Sequence, residues 1–133
     1  VSWWTYLSNH PVKIGACLSN KGYSGGNIRE SGEFALCIVD QALKTAALGC
    51  GMCSGRSTDK AAELGIALTD AKAIATKVVE ASKVVFECRL SDTVEIGDHT
   101  FYIADVAAVY GDESKKQLYA YDGYGRLGTA IEG

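Results

Sequence analysis

The sequence lacks any excess of positive charge. Its 133 residues carry 13 Lys and Arg against 16 Asp and Glu, a net charge of −3. Binding to a phosphate backbone needs clustered basic residues, so nucleic acid is not an expected partner. No apolar run approaches the roughly 20 residues that cross a bilayer, so no membrane partner is expected, and the cytoplasm is the expected compartment. Histidine is scarce: His10 and His99 are the two, far apart in the chain. Cysteines come close together once, at Cys50 and Cys53. A structural zinc site usually takes two close pairs of ligands, so no metal is expected. Five cysteines are an odd number, which rules out a complete set of internal disulfides. Also missing are a Ser/His/Asp set, a carboxylate pair and the glycine fingerprint of a dinucleotide-binding βαβ unit.

What is present reads as one domain over residues 1–133, long enough to bury a core without disulfide staples. Residues 11–19, PVKIGACLS, alternate: Val12, Ile14, Ala16 and Leu18 fall on one side and Lys13, Gly15, Cys17 and Ser19 on the other. This predicts a strand that runs into the loop NKGYSGG. A short helix is expected over 27–31 and a buried strand over 34–39, FALCIV. Asp40 can cap a helix running to about Leu48, with Leu43, Ala47 and Cys50 on a face that reads as core. Thr58 can cap a second helix closed by Gly65. Residues 69–82 read as a short helix and a connection. Residues 83–96 alternate again, Gly97-Asp98 marks a two-residue hairpin, and a return strand follows from His99 to Tyr110. The opening VSWW reads as the end of a strand, so residues ahead of Val1 are expected. Short strands broken by short helices imply a mainly β, antiparallel barrel of Greek-key type with short flanking helices.

The stretch CGMCSGRSTDK, residues 50–60, admits three chemistries. Zinc fails for want of a second ligand pair. A reactive dithiol belongs at a helix N-terminus, and Cys50 lies at a helix end, where the dipole raises a thiol pKa. An anion site is the third. Arg56 and Lys60 flank the start of a helix, against its dipole, and a bound anion would relieve that conflict. Ser19, Asn20, Lys21, Tyr23, Ser24, Gly25 and Gly26 form a second such group: two serine hydroxyls, an ammonium and small residues that let backbone N–H groups approach a phosphate. Either stretch alone reads equally as a solvated loop. Trp3 and Trp4 are neighbours that point to opposite faces of a strand, so one can pack in the core while the other meets a ligand. The tyrosines at 119, 121 and 124 suit an interface or a lid.

Taken in order, VSWW, SNKGYS, ESGEFALCIV, CGMCSGRSTDK, FECRL and GDHTFYIADV resemble the flavin reductase-like, flavoredoxin-type proteins, from Val1 to about Val109. The resemblance implies an FMN-binding split β-barrel and a homodimer. It also implies roles. Trp3, with Ser2 beside it, matches the flavin-contacting SWW motif. Ser19, Lys21 and Ser24, with Asn20 between them, match the phosphate loop. Lys60 and His99 match positions lining the flavin, and Ser54 and Arg56 belong to the same motif. The family carries an Asn and a Thr ahead of SWW, so the domain is expected to lack its first strand. The implied function is an oxidoreductase that passes electrons from NADH or NADPH through bound FMN to free flavin, rubredoxin or iron. The alternatives are an FMN electron carrier with no NAD(P)H activity of its own, a barrel without flavin, and a Cys50/Cys53 redox protein.

Overall fold

The computed structural model describes residues 1–131. Five strands form one antiparallel sheet in the order β1-β2-β7-β6-β3: β1 is Trp4–Asn9, β2 Val12–Ser19, β3 Glu33–Ile38, β6 Val84–Ile96 and β7 His99–Gly111. Two small antiparallel ladders stand beside it, β4 (Leu68–Asp70) with β5 (Lys77–Val79) and β8 (Leu118–Ala120) with β9 (Leu127–Thr129). Three helices flank the strands: α1 is Ser24–Ser31, α2 Lys44–Met52 and α3 Lys60–Glu63. None of the described helices is long and apolar enough to cross a membrane.

The alternation read in β2, β6 and β7 holds because one face of each strand meets the others in a common core. Ile14, Leu36, Ile38, Phe86, Cys88 and Ala104 form it, with Trp4, Phe34, Val84 and Val106 packed around them. Burying each of the larger apolar side chains contributes about 1.5–3 kcal/mol. The β6–β7 hairpin turns where expected, at Gly97, whose φ of 56° suits a residue without Cβ. Register shifts leave Ala107 of β7 unpaired beside Glu87/Cys88 and Ser91 of β6 unpaired between Leu90 and Asp92, which bends both strands of the hairpin. β3 pairs only with Val84–Arg89, so the outer half of β6 is an open edge carrying exposed Val94 and Ile96.

Several expectations are corrected. VSWW is not the end of a strand: β1 starts at Trp4, with the Trp3 carbonyl accepting from Cys17 N at 2.8 Å just ahead of it. Trp4 packs against Phe86, while Trp3 stays 48% exposed. α1 begins three residues earlier than expected. Asp40 caps a 3-10 turn over Gln41–Leu43, and α2 follows it to Met52. The cap of α3 is Asp59, whose Oδ1 accepts from Ala62 N at 3.2 Å, not Thr58. Residues 69–82 contribute β4 and β5 rather than a helix, because Val78 turns into the interior and the intervening loop is held from β6.

Candidate functional site

The register of β1, β2 and β7 assembles the site. Trp3 bonds to Cys17, two residues ahead of Ser19, and Ser19 pairs directly with His99 across β2 and β7. Residues up to 96 positions apart therefore meet at one end of the sheet. A cleft of about 840 Å³ opens there. That lies within the range of small-molecule and cofactor sites. Ser2, Trp3, Ser19, Lys60 and His99 all line it.

Trp3 stacks on His99, with ring centroids 4.6 Å apart and planes 28° apart, and Tyr124 stands 6.0 Å from Trp3. His99 Nδ1 lies 2.6 Å from Asp98 Oδ1. An ionised carboxylate only accepts, so this contact puts a proton on Nδ1 and fixes the ring. The same hydrogen bond from His99, together with its charge, holds the Asp98 carboxyl below the usual carboxylate range.

The opposite wall is α2. Leu43, Ala47 and Cys50 were expected to face the core, but they line the cleft, and none is fully buried. Lys60 Nζ donates to the Cys50 carbonyl at 2.7 Å. The ammonium thus sits at the C-terminal end of α2, where the dipole favours a cation. For Lys60 this contact answers the conflict expected at the start of α3. Cys53 does not share the cleft: its thiol donates to the Gly49 carbonyl at 3.3 Å.

Beyond Ser19 the chain makes a turn. Lys21 N donates to Ser19 Oγ at 3.3 Å and Gly22 N to the Ser19 carbonyl at 3.1 Å. α1 then starts at Ser24 with no side-chain cap from Tyr23, which leaves first-turn N–H groups free for an anion. The close fit of this start depends on Gly25, where a Cβ would lie 2.3 Å from the Tyr102 hydroxyl. Lys21 is exposed on the turn, and Ser24 opens onto a second cavity of about 710 Å³ between α1 and β3.

Three expected site residues are engaged elsewhere. Asn20 Nδ2 donates to the Gly97 carbonyl at 3.4 Å and Oδ1 accepts from Thr100 Oγ1 at 2.7 Å, so this amide ties the turn to the β6–β7 hairpin. Arg56 donates to the carbonyls of Lys21 at 3.0 Å and Gly22 at 3.2 Å, and its guanidinium lies 5.4 Å from the Tyr23 ring centroid. Ser54 shapes the turn that carries Arg56, with Oγ accepting from Arg56 N at 3.2 Å. Sequence reasoning missed the arm of β8 and β9, from which Leu118, Tyr119 and Leu127 also line the cleft. The tyrosine cluster was its one signal.

Residues 1–128 match the flavin reductase like domain. The chain belongs to that family. Its fold is the split barrel of solved relatives, at identities low enough that the likeness speaks for fold alone. The FMN-binding protein of Thermus thermophilus with bound p-hydroxybenzaldehyde is 24% identical with a TM-score of 0.87, over 98% of this chain and 76% of that one. Flavoredoxin from Methanosarcina acetivorans is 18% identical with a TM-score of 0.88, over 98% and 75%. An NADH:FAD oxidoreductase of Streptomyces globisporus is 15% identical with a TM-score of 0.84, over 97% and 75%. The chain spans 64%, 48% and 64% of the length of three curated relatives that it matches.

The residues present fit the flavin mononucleotide that the family implies. The uncapped start of α1, with Lys21 and Ser24, suits a phosphate. The cleft, with its stacked Trp3 and His99 and its apolar α2 wall, suits a planar ring system. Ser19 belongs to both.

Proposed function

We propose that this chain binds FMN with the phosphate on the turn from Ser19 to Ser24 and the ring in the cleft beside Trp3, His99 and Lys60. It passes electrons from NADH or NADPH to an acceptor such as free flavin, rubredoxin or iron. When bound, the flavin supplies the hydride and electron chemistry, and the protein supplies binding, orientation and electrostatics. Lys60 contributes a half-buried positive charge, which favours the negative charge that reduction brings to the site. Trp3 offers an aromatic face, and the α2 side chains Leu43 and Ala47 exclude water from one wall. The observation that carries the reading is the junction at Ser19 of an uncapped anion-binding turn and an aromatic-walled cleft, in a chain of this family.

The homodimer is proposed on the open outer half of β6, whose exposed Val94 and Ile96 suit burial against a second copy. The cytoplasm is proposed on the five free cysteines.

An absorption spectrum of the purified protein, taken with added FMN before and after anaerobic NADH or NADPH, tests the reading. Flavin bands that co-purify or reconstitute and then bleach support an NAD(P)H-dependent oxidoreductase. Bands that persist select an electron carrier that a partner protein reduces. A protein that takes up no FMN overturns the flavin reading.

A further inference from the structure

Arg56 carries a permanent positive charge beside the turn assigned to a phosphate, so the obvious expectation is an ion pair with that phosphate. The geometry points elsewhere. Both ends of the guanidinium fork already donate to backbone carbonyls, of Lys21 at 3.0 Å and of Gly22 at 3.2 Å, and its Cζ lies 5.4 Å from the Tyr23 ring centroid. We propose that Arg56 is a positioning residue for the phosphate turn, one that sets the direction of its amide donors without touching the ligand. This rests on the FMN reading above.

The argument follows from peptide geometry. In a planar trans peptide the C=O and the following N–H point in opposite directions. Holding the Lys21 carbonyl on Arg56 turns the Gly22 N–H away from it, and that N–H is found on the Ser19 carbonyl at 3.1 Å. Holding the Gly22 carbonyl on Arg56 turns the Tyr23 N–H away from the guanidinium in the same manner. Arg56 therefore gathers the negative ends of two peptide dipoles on one side of the turn, with the Gly22 N–H closing the turn on Ser19 and the Tyr23 N–H on the side away from the guanidinium. Two carbonyls that would otherwise repel an anion are neutralised.

The anchor for this fork is built into the neighbouring turn. Ser54 Oγ accepts from Arg56 N, and the Ser54 carbonyl accepts from Ser57 N at 3.2 Å and Thr58 N at 3.0 Å. Gly55 lets Tyr23 approach, since a Cβ there would lie 3.0 Å from the Tyr23 ring. A lysine at 56 would keep the charge but could not bridge two carbonyls with a planar fork.

The test compares FMN with riboflavin, which differ only by the phosphate, on wild-type protein, Arg56→Ala and Arg56→Lys. Both variants should bind FMN about tenfold to a hundredfold more weakly than wild type, with riboflavin within about twofold, because each loses the charge-assisted fork. An Arg56→Lys variant that keeps wild-type FMN affinity overturns the proposal in favour of simple charge attraction. Equal losses for FMN and riboflavin also overturn it, because they mark general damage to the fold. Wild-type protein that binds neither flavin removes the FMN reading itself, and the positioning role with it.

Discussion

Replacing Glu87 by Gln tests the least obvious support of the fold. Glu87 is fully buried on β6. Its Oε2 accepts from Lys72 N at 2.7 Å and from the Tyr110 hydroxyl at 2.5 Å, and its Oε1 from Ala73 N at 2.6 Å and Ile74 N at 3.2 Å. Burial alone would raise its pKa, but the bonds from Lys72, Tyr110, Ala73 and Ile74 outweigh it and hold the carboxyl at about 2. Burial, followed by the same carboxylate, pushes Tyr110 up to about 12. A glutamine must aim its NH2 at one of these two donor pairs. The milder choice faces Lys72 and Tyr110, where the hydroxyl can turn to accept but the backbone N–H cannot. One charge-assisted bond is then lost outright and the others weaken, about 3 kcal/mol in all. In a chain of this size that lowers the melting temperature by about 10 °C at pH 7. The pH dependence follows from a depressed native pKa. The contribution is fully present above the ordinary value of 4.5 and is lost as pH falls toward about 2. The gap between wild type and Glu87→Gln, followed by circular dichroism, should therefore narrow from pH 5 to pH 3, taken as roughly the span of that titration. A melting change below about 2 °C at pH 7, or a gap that stays constant over that range, refutes the argument.

Glu87 also shows where the sequence stops being legible. Alternation places it opposite Phe86 and Cys88, which reads as the solvent side. Both faces of β6 are covered there, because a loop 13 to 15 residues upstream folds onto the carboxylate. β4 and β5 are three residues each, too short for a period of two to register, so residues 69–82 read as a short helix and a connection. The long strands were legible because their alternation extends over several residues and the Gly97 turn has distinctive chemistry. In the site, Trp3, Ser19, Lys60 and His99 could be named from motifs and meet at one cleft. Arg56 and Asn20 could be named too, but not what they touch. Nothing local tells a guanidinium that meets a phosphate from one that meets carbonyls 34 and 35 residues away. The apolar face of α2 was misassigned for a related reason: the wall of a cofactor cleft is as apolar as a core.

The start of α1 and the α2 wall give two further predictions beside the flavin spectrum and the Arg56 comparison. Gly25→Ala places a methyl 2.3 Å from the hydroxyl of Tyr102, a side chain only 2% exposed and unable to swing aside. It should cost about 1–3 kcal/mol of stability by thermal melting and weaken FMN binding, and wild-type values for both would show that α1 can slide. Lys60→Ala separates the two roles of its ammonium. As a cap on α2 it supplies one bond, to the Cys50 carbonyl, and a favourable charge at a helix C-terminus, worth about 0.3–1 kcal/mol near the surface. The fold should therefore survive with a small drop in melting temperature. As a charge in the cleft it favours the electron-rich form of whatever binds there, so reduction of bound FMN by NADH or NADPH should slow by about tenfold or more. Stopped-flow bleaching at saturating FMN measures that rate apart from affinity. If rate and affinity both stay at wild-type values while the melting temperature falls, Lys60 is a helix cap alone, and the cleft draws no electrostatic help from it.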